Sequence, residues 1–144
     1  MAKPVRYNNR MGIKGWWGGR YGLERWAYLL HRLTGLIILF YLVLHIFVTS
    51  TRAFGEAAWE ATMGAVGAPV FRFLEYLLIA AIAYHGFNGL RLIFVEWFGW
   101  SLGRPRRPVY PYVTSLHHQR PLLVGMMVLA FLFLVFSAWG FLTP

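Results

Sequence analysis

Three stretches of this sequence are long, apolar and almost free of charged side chains. Residues 26–51 contain one charged residue, Arg32, residues 69–98 keep their charges towards the two ends, and residues 121–142 contain none. A helix needs about 20 apolar residues to cross the hydrocarbon core of a bilayer. The pattern therefore predicts an all-α membrane protein with three transmembrane helices over these ranges, which together make a membrane anchor over residues 26–142.

The composition excludes several classes of protein. Only 13% of the 144 residues are charged, against about 25% in an ordinary soluble domain, so a soluble monomer is excluded. The chain has no Cys, which excludes a disulfide framework, thiol catalysis and an iron–sulfur cluster held by this chain. It has five Glu and no Asp, so a catalytic carboxylate pair is not expected either.

The net charge of +9 is distributed unevenly between the segments outside the predicted helices. Residues 1–25 contain six basic residues and one Glu, residues 52–68 contain one Arg and two Glu, and residues 99–120 contain four Arg and no acid. Basic segments stay on the cytoplasmic side. We therefore predict a multi-pass protein of the cell (inner) membrane with a cytoplasmic N-terminus, an interfacial arm over residues 1–25, and the C-terminus outside. Because the basic excess sets the topology, it does not indicate nucleic-acid binding.

Two smaller features complete the predicted architecture. Glu56–Met63 is expected to form a short interfacial helix between the first two spans. Pro121 suits the first position of the third helix, because the N–H that proline lacks would have no partner there.

Three histidines, His31, His45 and His85, lie inside the predicted spans. Ionisable groups in a bilayer are costly and tend to face the interior of a bundle, and neutral imidazole is a common axial ligand of haem iron. Beside His85, the residues Gly86 and Gly89 leave room for a flat macrocycle. The alternative interpretation is that each histidine is a hydrogen-bonded packing residue.

The expected depths separate these histidines. His31 and His45 lie on a similar face of the first helix, about 21 Å apart along its axis. With the helix ends placed at the same level, His85 falls between them in depth, about 9 Å from His45. One haem shared by His45 and His85 therefore fits poorly, and each is expected to face a histidine of another chain.

Two arginines are candidates for contacts to the propionates of such a haem. Arg91 lies about 9 Å nearer the cytoplasm than His85, and Arg32 lies at a similar shallow depth on the first helix. In the alternative interpretation both side chains extend to the lipid headgroups.

Residues 30–35, Leu-His-Arg-Leu-Thr-Gly, and residues 83–91, Ala-Tyr-His-Gly-Phe-Asn-Gly-Leu-Arg, form a recognisable pair of motifs. Together they resemble the H-R-x-[ST]-G and H-x-x-x-G-[IL]-R motifs of the cytochrome b membrane-anchor subunit (SdhC type) of succinate dehydrogenase. The resemblance covers the three helices in order and length, over roughly residues 23–142. It implies a complex of four chains: a flavoprotein with FAD, an iron–sulfur subunit, this anchor and a second anchor of SdhD type.

The resemblance also assigns residues. It implies that His85 is an axial ligand of haem b, that His31 neighbours the propionates, and that Arg32 lines the quinone site beside a propionate. Arg91 matches the arginine that follows the ligand. The quinone-site Ser of the family, four residues before the arginine, is Tyr28 here.

His45 has no counterpart in single-haem members of the family. In two-haem members, a histidine about 15 residues after the first-helix histidine ligates the haem nearer the outside. The resemblance therefore implies that His45 is a second haem ligand, so that one haem or two would be shared with the partner anchor.

The sequence thus leads to a haem-binding anchor that carries electrons from succinate to quinone, with no residue that acts on succinate itself. Two alternatives remain open at this point. The chain could be a cytochrome b anchor of a fumarate reductase or another quinone-linked complex, or a membrane scaffold without haem. His117 and His118 are expected in a solvated turn, with a proton path to the quinone as the other interpretation.

Overall fold

The computed structural model describes residues 23–99 and 116–142, with side chains in the second range from residue 118 to residue 140. Helices account for nearly all of this part of the chain, and it contains no strand. The elements are α1 (Leu23–Ser50), a 3₁₀ turn (Thr51–Phe54), α2 (Glu56–Val66), α3 (Pro69–Phe98) and α4 (Leu116–Leu142). The helices α1, α3 and α4 are long and apolar enough to cross a membrane. The predicted all-α fold with three spans is therefore confirmed.

The ends of α3 follow from local sequence. Pro69 occupies the first position of the helix, where its missing N–H removes no intrahelical bond. At the other end, Gly99 has φ 63° and its N–H bonds to the carbonyl of Phe94. This left-handed conformation is accessible to glycine without a Cβ penalty. The predicted bounds of 69–98 are confirmed.

The connection between α1 and α3 contains the predicted short helix. A 3₁₀ turn follows α1, and Gly55, with φ 100°, redirects the chain into α2. This helix begins at Glu56 as predicted and continues to Val66, about one turn beyond the predicted end at Met63.

Two helices begin earlier in the structure than the approximate bounds predicted. The helix α1 already includes Leu23, so the last residues of the predicted arm belong to the first span, while residues 1–22 lie outside the described part. The helix α4 begins at Leu116, which places Pro121 inside it. A proline there removes the hydrogen bond to the carbonyl four residues earlier, and the prediction favoured the first position because no bond is lost at that point.

The three long helices pack with α3 in the middle, against α1 on one side and α4 on the other. We call the end where α1 begins and α3 ends the inner end, and the opposite end the outer end. At the inner end, Arg120 of α4 forms an ion pair with Glu24 of α1. The buried apolar residues are mostly small or unbranched at Cβ, namely Ala27, Ala81, Ala83, Val95, Leu123, Met126 and Ala130. Small residues let membrane helices approach closely.

Most large apolar side chains point away from this interior. Phe40, Phe47 and Phe136 are each more than 60% exposed. In water such a surface would drive association, whereas in a bilayer it faces hydrocarbon. The chain therefore buries little of itself and offers long apolar faces to lipid and to other helices.

Candidate functional site

Two histidines from different helices meet in the inner half of the bundle. The rings of His31 on α1 and His85 on α3 are stacked, with centroids 4.0 Å apart and planes 8° from parallel. Both side chains are half-buried. The structure therefore brings together two of the three predicted histidines at one depth.

This contact corrects the predicted depths. His85 does not lie between His31 and His45, because the inner ends of α1 and α3 are not level. From His85 the helix α3 continues for about 20 Å to Phe98, whereas Leu23 is only about 12 Å from His31. The helix α3 thus extends about 8 Å further at the inner end. His45 lies about 21 Å from the histidine pair along α1, so no single haem can bind both His45 and His85.

Each histidine lies against a glycine of the other helix. Both helices contain a His-x-x-x-Gly segment, with Gly35 one turn after His31 and Gly89 one turn after His85. A Cβ atom added to Gly35 would lie 3.0 Å from Cε1 and 3.4 Å from Nδ1 of His85. A Cβ atom added to Gly89 would lie 3.6 Å from Cε1 of His31. A side chain would therefore be crowded at Gly35, whereas at Gly89 it would make an ordinary van der Waals contact with the His31 ring.

The hydrogen bonds of His85 determine its tautomer. Its Nδ1 lies 3.1 Å from the carbonyl oxygen of His31 and 3.4 Å from the hydroxyl of Thr34. A carbonyl can only accept, and the Thr34 hydroxyl already donates its hydrogen to the carbonyl of Leu30 at 2.8 Å. We therefore assign the proton to Nδ1, which leaves a lone pair on Nε2.

This arrangement fits a metal-ligating histidine. Such histidines almost always donate their other ring N–H to a carbonyl or carboxylate, which sets the tautomer and the orientation of the ring. The Nε2 of His85 has no hydrogen-bond partner within residues 23–99 and 116–142. Stacking against His31 covers a face of the ring, whereas a ligand bond lies in the ring plane. The stacked pair therefore does not block coordination through Nε2.

The two sides of the α1–α3 pair differ. Successive helical residues are turned by about 100°, and because α1 and α3 are antiparallel, the residue before each histidine points to one side of the pair and the residue after it to the other. Leu30 and Tyr84 precede the histidines and line an apolar cleft of about 380 Å³ together with α4. Arg32 and Gly86 follow them on the side away from α4, and both are exposed.

We call this second side the open groove, defined by Tyr28, Arg32, Gly86 and the stacked histidines. A Cβ atom added to Gly86 would meet nothing within 4 Å. Ile82, one turn before Gly86, is also exposed. Beside His85 there is therefore unfilled space, bordered on α1 by a cation and a phenol.

Tyr28 and Arg32 form a pair on the α1 side of the open groove. The Nη1 of Arg32 donates to the Tyr28 hydroxyl at 2.6 Å, and its guanidinium carbon lies 5.3 Å from the centre of the Tyr28 ring. Arg25 lies near the same ring at 5.4 Å. The Tyr28 hydroxyl still has its own hydrogen to donate. The predicted quinone-site residues are thus adjacent, exposed and able to offer both a proton donor and a positive charge.

Arg91 has a different environment from Arg32. It is only 7% exposed, so the interpretation that it extends to lipid headgroups is wrong for this residue. Its Nε donates to Asn88 Oδ1 at 3.0 Å and its Nη1 to Gln119 Oε1 of α4 at 3.4 Å. Asn88 is 1% exposed. The Arg91 head group therefore links α3 to α4, and its predicted contact to a propionate stays a prediction.

Tyr84 makes a second polar link within the bundle. Its hydroxyl donates to the carbonyl of Ala27 on α1 at 2.8 Å. Together with the Arg91 contacts, this bond ties α3 to both neighbouring helices near the inner end. Sequence reasoning missed both links, although a polar residue beside a predicted ligand, as in Tyr84-His85, was a usable signal.

His45 lies far from this cluster, at the outer end. Its side chain is exposed, and its Nδ1 lies 3.4 Å from the Tyr41 hydroxyl one turn earlier on α1. The two rings are 5.5 Å apart. His45 also lines a cavity of about 370 Å³ between α1, α2 and the beginning of α3, which Glu75 and Trp59 border. Its role as a second ligand stays a prediction.

The remaining histidines add little to the site. His118 is exposed on the first turn of α4, and the side chain of His117 lies outside the described residues. In the described part of the chain, no group of three or more His, Cys, Asp or Glu is arranged to hold a bare metal ion. A haem needs only one side chain from each contributing helix, so this finding concerns a different kind of site.

Comparison with known proteins identifies the family. Residues 17–136 match the family model described as "Succinate dehydrogenase/Fumarate reductase transmembrane subunit". The chain belongs to this family. The match includes both His-x-x-x-Gly segments and the open groove between them.

Curated relatives agree with this assignment. The chain is 30% identical over 78 residues to "Succinate dehydrogenase 2 membrane subunit SdhC" of Mycobacterium tuberculosis, which covers 54% of this chain and 56% of that protein. It is 38% identical over 72 residues to "Succinate dehydrogenase hydrophobic membrane anchor subunit" of Halobacterium salinarum, covering 49% and 55%. The protein of the same description in Archaeoglobus fulgidus is 32% identical over 74 residues, covering 51% and 63%. The aligned part is therefore little more than half the length of these relatives.

Proposed function

We propose that this chain is the haem b-binding membrane anchor of a succinate dehydrogenase, with His85 as an axial ligand and with Tyr28 and Arg32 in the quinone site. The observation that carries the proposal is the hydrogen bond from His85 Nδ1 to the carbonyl of His31, at 3.1 Å. This bond leaves the lone pair of Nε2 available to a metal. The chain that carries it belongs to a family of succinate dehydrogenase and fumarate reductase membrane subunits.

The residues around His85 are suited to a haem. Gly86 leaves open space next to the ligand, and the exposed Ile82 supplies an apolar wall. A bound haem would supply a one-electron redox centre between the partner clusters and the quinone. The task of His85 is to hold iron through Nε2 while the His31 carbonyl keeps the proton on Nδ1.

Groups near the inner end are candidates to hold the propionates. The Nδ1 of His31 is buried and has no hydrogen-bond partner among the described residues, and such an orphaned group calls for a partner. Arg32 is the residue after His31, and its side chain is exposed in the open groove. We assign the propionate contacts to His31 and Arg32 first. Arg91 contributes positive charge without direct contact, because its head group is bound to Asn88 and to Gln119 of α4.

Tyr28 and Arg32 are proposed to bind the quinone at the inner, cytoplasmic interface. The Tyr28 hydroxyl, which accepts from Arg32 at 2.6 Å, can donate its own hydrogen to a quinone oxygen. As that oxygen gains negative charge on reduction, the adjacent guanidinium stabilises it.

The proposal requires partners. Three helices leave the open groove uncovered, so a second anchor is expected to close it and to supply the other haem ligand. Electrons would arrive from succinate through a flavoprotein with FAD and an iron–sulfur subunit bound at the inner end. With the inner end in the cytoplasm, the complex lies in the cell membrane.

His45 is proposed as a ligand of a second haem near the outer end. Its Nδ1 lies 3.4 Å from the Tyr41 hydroxyl, and in the tautomer in which Nδ1 donates to that hydroxyl, Nε2 keeps its lone pair for iron. The 21 Å that separate it from the histidine pair, about fourteen residues of helix, leave room for two haems in sequence across the membrane.

The haem assignment is tested in the complex purified with its partner subunits. We expect a b-type α-band in the reduced-minus-oxidised spectrum of the wild type, and loss of the inner haem in His85→Ala. His118→Ala is the matched control, because His118 is an exposed histidine away from the site, and it should keep the full band. A wild-type complex without a b-type band, or an unchanged band in His85→Ala, would contradict the proposal.

The quinone assignment is tested by steady-state kinetics with a soluble quinone. We expect Arg32→Gln to lower kcat by about 100-fold, in the range reported for the loss of one charge-stabilising donor. Tyr28→Phe keeps the ring and removes the hydroxyl, and it should cost less. Both variants should retain succinate oxidation with an artificial acceptor. If Arg32→Gln reduced quinone at the wild-type rate, the assignment of Arg32 to the quinone site would be wrong.

A further inference from the structure

The His31 carbonyl that fixes His85 is already the acceptor of an α-helical backbone bond. In a regular helix the Cα–Cβ bonds tilt towards the N-terminus, so a side chain covers the turn that precedes its own residue. The side chain of residue 35 would therefore cover the carbonyl of residue 31. With glycine at position 35 that carbonyl is open to a donor from another helix.

The His85 ring occupies this uncovered position. A Cβ atom at residue 35 would lie 3.0 Å from Cε1, 3.4 Å from Nδ1 and 4.0 Å from Nε2 of His85. The shortest of these is tighter than nine in ten Cβ contacts in proteins, so with alanine at position 35 the imidazole must move by a few tenths of an ångström away from α1. The displaced atoms include Nδ1, so the hydrogen bond to the His31 carbonyl, now 3.1 Å long, would lengthen and weaken.

Thr34 supports the same ring from the neighbouring position. It is buried, with 9% exposure, and its hydroxyl lies 3.4 Å from His85 Nδ1 while donating to the Leu30 carbonyl at 2.8 Å. The hydroxyl thus acts towards His85 only as an acceptor. Two consecutive residues of α1 therefore favour a single tautomer and a single position of the ring on α3.

We infer that Gly35 and Thr34 are positioning residues for the haem ligand: they hold His85 against α1 with Nδ1 protonated and Nε2 directed to iron. This inference rests on the proposed haem ligation by His85. The Thr-Gly pair of the first motif, on α1, thus positions the histidine of the second motif, on α3, a role that neither motif reveals alone. Neither residue touches the iron, so their effect is exerted through the ligand.

The test compares three alanine substitutions at glycines. In Gly35→Ala the added Cβ lies 3.0 Å from the His85 ring, in Gly89→Ala it lies 3.6 Å from the His31 ring, and at Gly64 in α2 it meets nothing within 4 Å. Loss of a group that hydrogen-bonds to a metal-ligating histidine typically lowers metal affinity by 10–100-fold. We expect a loss of this size in haem retention for Gly35→Ala, near wild-type retention for Gly89→Ala, and no change for Gly64→Ala.

A spectroscopic readout separates positioning from simple loss of packing. In the assembled complex, we expect Gly35→Ala to change the low-spin haem EPR signal and the midpoint potential of whatever haem remains. Thr34→Val removes the hydroxyl and keeps the shape, and it should shift the potential in the same direction by less, whereas Thr34→Ser should restore the wild-type value. This series remains informative if Gly35→Ala fails to assemble.

The outcomes are distinct. If the wild type has a b-type haem that His85→Ala removes, but Thr34→Val and Gly35→Ala leave the EPR signal and the potential unchanged, the positioning inference is wrong and the ligand assignment stands. If Gly89→Ala changes both as strongly as Gly35→Ala, general packing explains the effect and the inference is also wrong. A wild-type complex without haem overturns both the inference and the proposed function.

Discussion

His85 on α3, in the inner half of the bundle, and His45 on α1, at the outer end, show two ways to orient an imidazole in a membrane helix. His85 is held by another helix: its Nδ1 meets the His31 carbonyl, its face meets the His31 ring, and its edge lies over Gly35. His45 has its hydrogen-bonding contact, the Tyr41 hydroxyl, on its own helix, and its side chain is exposed. The first arrangement depends on helix packing and the second does not.

This difference has a physical consequence. A backbone carbonyl cannot rotate and can only accept, so it dictates both the position of the imidazole and its proton. A phenol hydroxyl rotates and can either donate or accept, so Tyr41 leaves both tautomers of His45 open. The inner site is therefore preorganised by this chain, whereas the outer site needs groups from elsewhere to become so.

The largest expected effect is at Gly86, which borders the open groove beside His85, the proposed haem ligand. Gly86→Leu should remove most of the inner haem, because its side chain fills the space next to His85 without disturbing the described residues. Gly125→Leu on α4 is a matched control, since a Cβ atom there also meets nothing within 4 Å. The measurement is haem per complex from the reduced spectrum. Full haem content in Gly86→Leu would show that the open groove does not hold the cofactor.

An intermediate effect is expected at His45. His45→Ala should leave the inner haem unchanged and remove one haem from a two-haem complex, because the histidines are about 21 Å apart. Iron per copy of this chain, measured beside His85→Ala, gives the count. If wild type and His45→Ala contained equal iron per copy of this chain, His45 would be a packing residue and not a haem ligand. Loss of all haem would contradict the independence of the two sites.

The smallest effect concerns stability at the two ends of α3. Arg91→Leu removes the donor to the buried Asn88 Oδ1, at a cost of about 1–3 kcal/mol, and it also removes the contact to Gln119 of α4. Arg72→Leu, at the exposed outer end of the same helix, should change stability by no more than about 0.5 kcal/mol. Thermal denaturation of the detergent-solubilised complex compares them. Equal melting temperatures for the two variants would mean that the inner end is no more tightly tied than the outer.

The helices were predictable because hydropathy and helix-end signals act locally. Pro69 and Gly99 marked the two ends of α3, and Glu56 marked the start of α2. The position of Pro121 was not predictable in this way, since a helix can continue on the N-terminal side of a proline at the loss of one bond. The predicted orientation across the membrane stays a prediction.

The candidate site was predictable only as a set of residues. The motifs singled out His31 and His85, but their contact depends on how far α3 slides past α1, and apolar composition does not encode this offset. At the observed offset each histidine lies against a glycine of the other helix, with Gly35 against His85 and Gly89 against His31. The repeated His-x-x-x-Gly spacing was the available signal. The burial of Arg91 was not predictable for a similar reason. Its partner Gln119 lies on α4, and the sequence does not specify how α4 is rotated about its axis.

The histidine pair is made entirely by the first two spans. The contacts of His85 come from α1, whereas α4 bonds to Arg91 of α3 through Gln119 and to Glu24 of α1 through Arg120. Synthesis runs from the N-terminus, so α1 and α3 leave the ribosome before α4 does. If the haem assignment is correct, the inner half-site of this chain needs only these two spans, and cofactor loading need not wait for the last helix.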